Sequence, residues 1–211
     1  AREEARFCPG TQLVCVADSE GDIYEMLAEG MAEPRDVDWI VRACQDRALT
    51  DDSETGDSDQ AEANHIREAV LATPALMTQI IHVRGREAKD GCETRRRRQP
   101  RRSRTALVEI RAARVTLRAP WRADRELPPI TINVVMVREI DPPADDVAVE
   151  WILLTSLEIA TLEDIIMIVK YYGVRWMVEI FFRVLKSGCR VEERRFERMD
   201  RLARCLAVYL I

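Results

Sequence analysis

The hydrophobic pattern of the chain changes texture twice. Leu13–Ala17 (LVCVA) is a short, wholly apolar run, the pattern of a strand buried on both faces, and it ends on Asp18. Ser19, Glu20 and Gly21 predict a turn, and Asp22 predicts the cap of a short helix running through Ala28 and stopping at Gly30. A second strand is expected at Trp39–Ala43 (WIVRA), so the first part reads β-α-β, the unit of a parallel or mixed sheet. A short helix is expected at His65–Ala72, closed by Pro74. From Gln79 to Arg138 the segments Gln79–Val83, Leu107–Ile110, Val115–Arg118 and Ile130–Arg138 are β-branched or alternating, separated by Arg-, Pro- and Asp-rich turns. They predict an antiparallel insertion with its own small core. Trp151–Thr155 (WILLT) reads as one more buried strand, and Thr161, with Glu163 and Asp164, opens a helix.

Leu162–Val169 leads into the most patterned stretch, Tyr172–Lys186 (YGVRWMVEIFFRVLK), closed by Gly188. At about 100° per residue, Tyr172, Arg175, Glu179, Arg183 and Lys186 line one narrow stripe. Val174, Met177, Val178, Phe181, Phe182 and Leu185 form a broad apolar face opposite, predicting a helix that packs by one side. Two readings fit the stripe. It is a solvated face with i,i+4 ion pairs, or it is a phosphodiester site in which Glu179 holds a divalent metal while the cations and the phenol grip phosphate oxygens. Arg201–Ile211 adds a last apolar helical pattern.

Composition narrows the class. Hydrophobic content of 47% supports a core, and no run of 18 or more apolar residues predicts a membrane span. The first ten residues lack the apolar core of a signal peptide. Cys8, Cys15, Cys44, Cys92, Cys189 and Cys205 form no C-x-x-C pair, which argues against zinc and a disulfide framework and predicts buried free thiols in a reducing cytoplasm. The net charge of −5 conceals a strong asymmetry. Residues 50–62 form an acidic loop, whereas residues 95–104 (RRRRQPRRSR) hold seven arginines in ten positions. By itself that basic run reads as a solvated loop. His65 and His82 lack ligand spacing and receive no role.

An aspartate at the C-terminal end of a buried strand stands where open α/β sheets place their ligands. Asp18 becomes informative when joined to a distant helical Glu179 set among cations. Tyr172-x2-Arg175-x3-Glu179-x6-Lys186 resembles the Y-R-E-K signature of a large family of bacterial insertion-sequence DDE transposases. Val16–Leu27 (VADSEGDIYEML) is similar to that family's second catalytic aspartate region, and the order of segments resembles the family throughout.

The resemblance implies an α/β fold: an RNase H-like core, a mixed sheet with flanking helices, interrupted by a β-rich insertion. The corresponding divisions are 1–45 (second Asp strand), 46–150 (insertion) and 151–211 (Y-R-E-K helix). It implies Asp18 and Glu179 as the second and third carboxylates of a site for two Mg²⁺ ions, which Mn²⁺ can replace. Tyr172, Arg175 and Lys186 would contact backbone phosphates; Arg183 joins them by helical geometry alone, and Trp176 flanks the stripe. Double-stranded DNA is the implied partner, bound by a homodimer in the bacterial cytoplasm, at the nucleoid. Only 17 residues precede Asp18, too few for the strand expected to carry the first Asp, so the chain reads as a fragment lacking that carboxylate. Two rivals remain: a catalytically dead remnant that binds DNA or protein, and an RNase H-like nuclease that cuts without joining.

Overall fold

In the computed structural model, residues 2–33, 35–50, 64–83, 85, 102–188 and 198–209 are described. The acidic loop, except Thr50, and residues 95–101 of the arginine run lie outside them, as do Cys92 and Cys189. The chain divides into two compact units, Ala1–Val169 and Lys170–Ile211.

The first unit begins with helix α1 (Arg2–Phe7) and is built on six strands: β1 (Val14–Ala17), β2 (Asp38–Arg42), β3 (Met77–Val83), β4 (Arg104–Leu117), β5 (Ile130–Glu139) and β6 (Glu150–Thr155). They form one mixed sheet in the order β1-β2-β6-β5-β4-β3. β1 and β2 are parallel, joined through helix α2 (Tyr24–Met31), as the β-α-β pattern requires; every other pairing is antiparallel. This mixed sheet with flanking helices is the α/β arrangement of an RNase H-like core.

Three expectations change here. β1 is an edge strand with Cys15 exposed, not a strand buried on both faces. Cys8 and Cys44 are exposed too, so these free thiols are not the buried ones their apolar neighbours suggested. The described residues of the 79–138 region share a core with the rest of the sheet instead of forming their own. One cluster joins Tyr24, Leu27, Trp39 and Val41 to Leu117, Ile132, Met136 and Leu154, with Ile66 and Val70 of helix α3 (Ile66–Ala72). Because β5 pairs with β6 and β6 with β2, the side chains of one face become continuous across the sheet. On the opposite face Ile40, Val135, Val137 and Leu153 are also fully or almost fully buried. Each such side chain contributes about 1.5–3 kcal/mol by leaving water.

β4 is a single 14-residue strand where two short ones were expected. The Arg111-Ala-Ala-Arg114 segment that reads as a turn stays in the ladder, with Ala112 and Ala113 opposite Val135 and Val134. Arg111 donates to the carbonyls of Leu71 and Thr73 at the end of α3 and to Glu109, which satisfies a cation within a strand. Gly30 is not a helix stop either: α2 continues to Met31, and a Cβ at Gly30 would lie 2.6 Å from Nε1 of Trp39.

Glu25 ties α2 to the segment before β5. Hydrogen bonding from Arg122 (2.8 Å), aided by its own backbone N–H and by Arg125, lowers its pKa from 4.5 to about 2. A carboxylate with a depressed folded pKa contributes stability above its unfolded pKa and loses it as pH falls through the folded one. The melting-temperature difference between the wild type and Glu25→Gln is therefore expected at neutral pH and should fade between pH 4.5 and about 2. An unchanged difference across that window would exclude the linkage.

α4 (Leu162–Val174) opens with a reciprocal cap: Thr161 Oγ1 accepts the Asp164 N–H, and Asp164 accepts the Thr161 N–H at 2.8 Å. Ile165, Ile168 and Val169 are its buried positions in the first unit. The second unit holds the end of α4, helix α5 (Met177–Arg183), a π-helical turn at Val184–Gly188 and helix α6 (Met199–Tyr209). No helix among the described residues is long and apolar enough to cross a membrane.

Candidate functional site

Asp18 stands one residue beyond the end of β1. Its carboxylate accepts the backbone N–H of Ser19 at 2.8 Å and so caps a 3₁₀ turn over Ser19–Gly21. The same oxygen meets Arg42 at 2.7 Å, with both side chains about a quarter to a third exposed. The contact follows from register. Ala17 pairs with Val41 in the parallel ladder, so the next residue of each strand, Asp18 and Arg42, falls side by side. Arg42 escaped the sequence reading, although the alternation in WIVRA puts it on the face opposite Trp39 and Val41, where this pairing would find it.

Asp22 is not the helix cap expected of it. The cap position of α2 is Ile23, without a side-chain hydrogen bond. The Asp22 carboxylate instead points into the protein, its side chain fully inaccessible. It accepts the N–H groups of Cys44 (2.7 Å) and Gln45 (3.2 Å) on one oxygen and a two-nitrogen contact from Arg47 (2.9 and 2.6 Å) on the other. Arg47 also lies 5.8 Å from the centre of the Tyr24 ring. Burial raises the Tyr24 pKa, partly offset by the Arg47 charge.

In the second unit the stripe does not lie on one uninterrupted helix. α4 ends at Val174, Arg175 and Trp176 form a turn, and α5 begins at Met177. The turn is tight: Arg175 N–H donates to Tyr172 O and Val178 N–H to Arg175 O, both three residues back. Gly173, with open space where its Cβ would be, weakens the helix just before the break. Beyond α5, the Val184 N–H is shared between the carbonyls of Ile180 and Phe181, and the backbone widens into the π turn bearing Lys186.

Within this broken helix three expected residues do meet. Arg175 reaches Glu179 at 3.3 Å and lies 5.9 Å from the centre of the Tyr172 ring. Glu179 is 69% exposed in its side chain, whereas Tyr172 is buried, so the phenol does not share the open face expected of it. Arg183 and Lys186 are exposed farther along. The apolar side departs from expectation as well: Leu185 is buried, but Val174, Met177, Val178, Phe181 and Phe182 are all exposed. Within their own unit the described residues leave that face uncovered.

Asp18 and Glu179 supply accessible carboxylate oxygens, the hard ligands that Mg²⁺ takes, and so fit such an ion in their chemistry. Among the described residues, no three His, Cys, Asp or Glu side chains gather as a metal cluster. The end of the arginine run also has a structural use: Arg104 belongs to β4 and is bound to Glu139 and Asp146. Residues 10–211 match the family model described as the transposase DDE domain.

Proposed function

Because the chain belongs to the transposase DDE domain family, we propose that it carries the second and third carboxylates of a site that cuts transposon ends and joins them to target DNA. Asp18 and Glu179 would hold Mg²⁺, or Mn²⁺ in its place, together with a first aspartate. When bound, such ions activate water and then a DNA 3′-hydroxyl for in-line attack on phosphorus and offset the charge that develops there.

The remaining roles belong to this chain's own side chains. Arg175, Arg183 and Lys186 bind backbone phosphates of double-stranded DNA, and the buried Tyr172 ring backs the Arg175 guanidinium instead of reaching DNA itself. Such contacts fix position without reading sequence. Paired ends call for a homodimer on DNA. Residues 1–45 and 151–211 form the core in this reading, and 46–150 the insertion between its carboxylates. The observation that supports it is the contact of Tyr172, Arg175 and Glu179 around one helix break, a guanidinium suited to phosphate beside a carboxylate suited to a metal ion.

With only the second and third carboxylates assigned to this chain, the narrower statement for the chain alone is that it binds DNA but does not cleave it. Two experiments test the reading. The purified chain, given transposon-end duplex with Mg²⁺ or Mn²⁺, is expected to bind without nicking; nicks that vanish in Glu179→Gln would overturn the inactivity. Expressed in cells from its reading frame as the element carries it, the protein is expected to yield joined ends. Nicks without joining would instead favour a nuclease, and binding with neither product a DNA-binding remnant.

A further inference from the structure

We propose that Asp22 and Arg47 are positioning residues for Asp18, which rests on Asp18 being a metal-binding carboxylate. The five residues from Asp18 to Asp22 form one closed turn. Gly21 N–H donates to the Asp18 carbonyl at 2.8 Å, and the Asp18 side chain accepts from Ser19 N–H. A Cβ at Gly21 would lie 2.7 Å from that of Ala17, so the turn lies against the strand it leaves and admits only glycine there. Before the turn, its place is set by the parallel ladder, ending at Ala17 and Val41. After it, the Asp22 carboxylate takes two backbone N–H groups from Cys44 and Gln45, which follow Arg42 almost directly. Arg47 closes the clamp on the other oxygen and on the Asp22 carbonyl at 2.9 Å.

Asp18 and Arg42 thus sit in a short frame held at both ends, one end by strand pairing and the other by a buried carboxylate. Arg47 satisfies Asp22, and Arg42 is engaged by Asp18. Groups behind a metal ligand fix its orientation, and their loss costs about 10–100-fold in metal affinity or activity.

The test needs no catalysis. In Asp22→Asn, and in the milder Arg47→Gln, amide hydrogen exchange of Ser19 is read by NMR, with Val41 in the central ladder as reference. Ser19 exchange is expected to rise about tenfold while Val41 holds. Mn²⁺ affinity, read from the electron paramagnetic resonance of free Mn²⁺ on the folded chain, is expected to weaken by a similar factor. Both variants are compared below their melting transitions; if Asp22→Asn does not fold, Arg47→Gln carries the test. A lower melting temperature with Ser19 exchange unchanged would make the clamp merely structural and overturn the proposal. Ser19 exchange that rises with Mn²⁺ affinity unchanged also overturns it, provided Asp18→Asn weakens Mn²⁺. If Asp18→Asn leaves Mn²⁺ binding intact, the assignment of Asp18 as a metal ligand fails instead, and the proposal falls with it.

Discussion

Transposition of a marked element in cells is expected to fall by at least about a thousandfold, the equivalent of ~4 kcal/mol, when either Asp18→Asn or Glu179→Gln is introduced. Each substitution keeps the shape of the side chain and removes the negative charge a divalent ion requires. Neither residue is needed by the core: Glu179 is largely exposed, with Arg175 its ion-pair partner, and Asp18 stands at the rim of the sheet. Both variants should therefore fold, and binding to transposon-end duplex should change by less than about threefold, because the cations proposed to contact phosphates are intact. Asp18→Asn also releases Arg42 from its ion pair. Normal transposition by Glu179→Gln would refute the catalytic reading of the broken helix.

Glu139→Ala is expected to produce a large loss of stability, about 3 kcal/mol. Glu139 is 3% exposed in its side chain and receives two Arg104 nitrogens as well as the Val149 N–H at 2.9 Å. Arg104, 15% exposed, is bound further by Asp146 at 3.1 Å and the Val147 carbonyl. Removing the carboxylate leaves a mostly buried guanidinium short of a counter-charge and a backbone donor without its acceptor. For a unit of this size the melting temperature should drop by roughly 6–12 °C. The control is Arg67→Ala, whose pair with Glu150 is 44% and 31% exposed and should cost within about 1 kcal/mol. Equal losses in the two variants would contradict the role assigned to burial.

Elements whose signal is local were legible before the structure. The apolar runs at LVCVA, WIVRA and WILLT became β1, β2 and β6, and Thr161 with Asp164 marked the start of α4 through a cap that spans three residues. What escaped depends on partners far along the chain. Asp22 precedes a helix and so satisfies the local rule for a cap, yet its donors lie at Cys44, Gln45 and Arg47. The Arg111–Arg114 segment has weak strand formers, and β5 with the carbonyls ending α3 holds it in the ladder. Of the candidate site, the spacing of Arg175 and Glu179 was visible as helical periodicity. The break between α4 and α5 was not, since helical periodicity alone assumes an unbroken helix.

The strand order carries a kinetic consequence. β4, β5 and β6 follow one another through short connections, but β2 meets its partner β6 only after nearly the whole of β3–β5 has been traversed, as Val41 opposite Leu154 makes plain. Closing a loop about tenfold longer costs about 2 kcal/mol more in chain entropy. The meander therefore has the shorter path to assembly, and the parallel pair bearing Asp18 joins a sheet already standing. The parallel pair that ends at Asp18 is then the part held against the larger entropy, and the buried Asp22 carboxylate ties its end to the chain beyond β2.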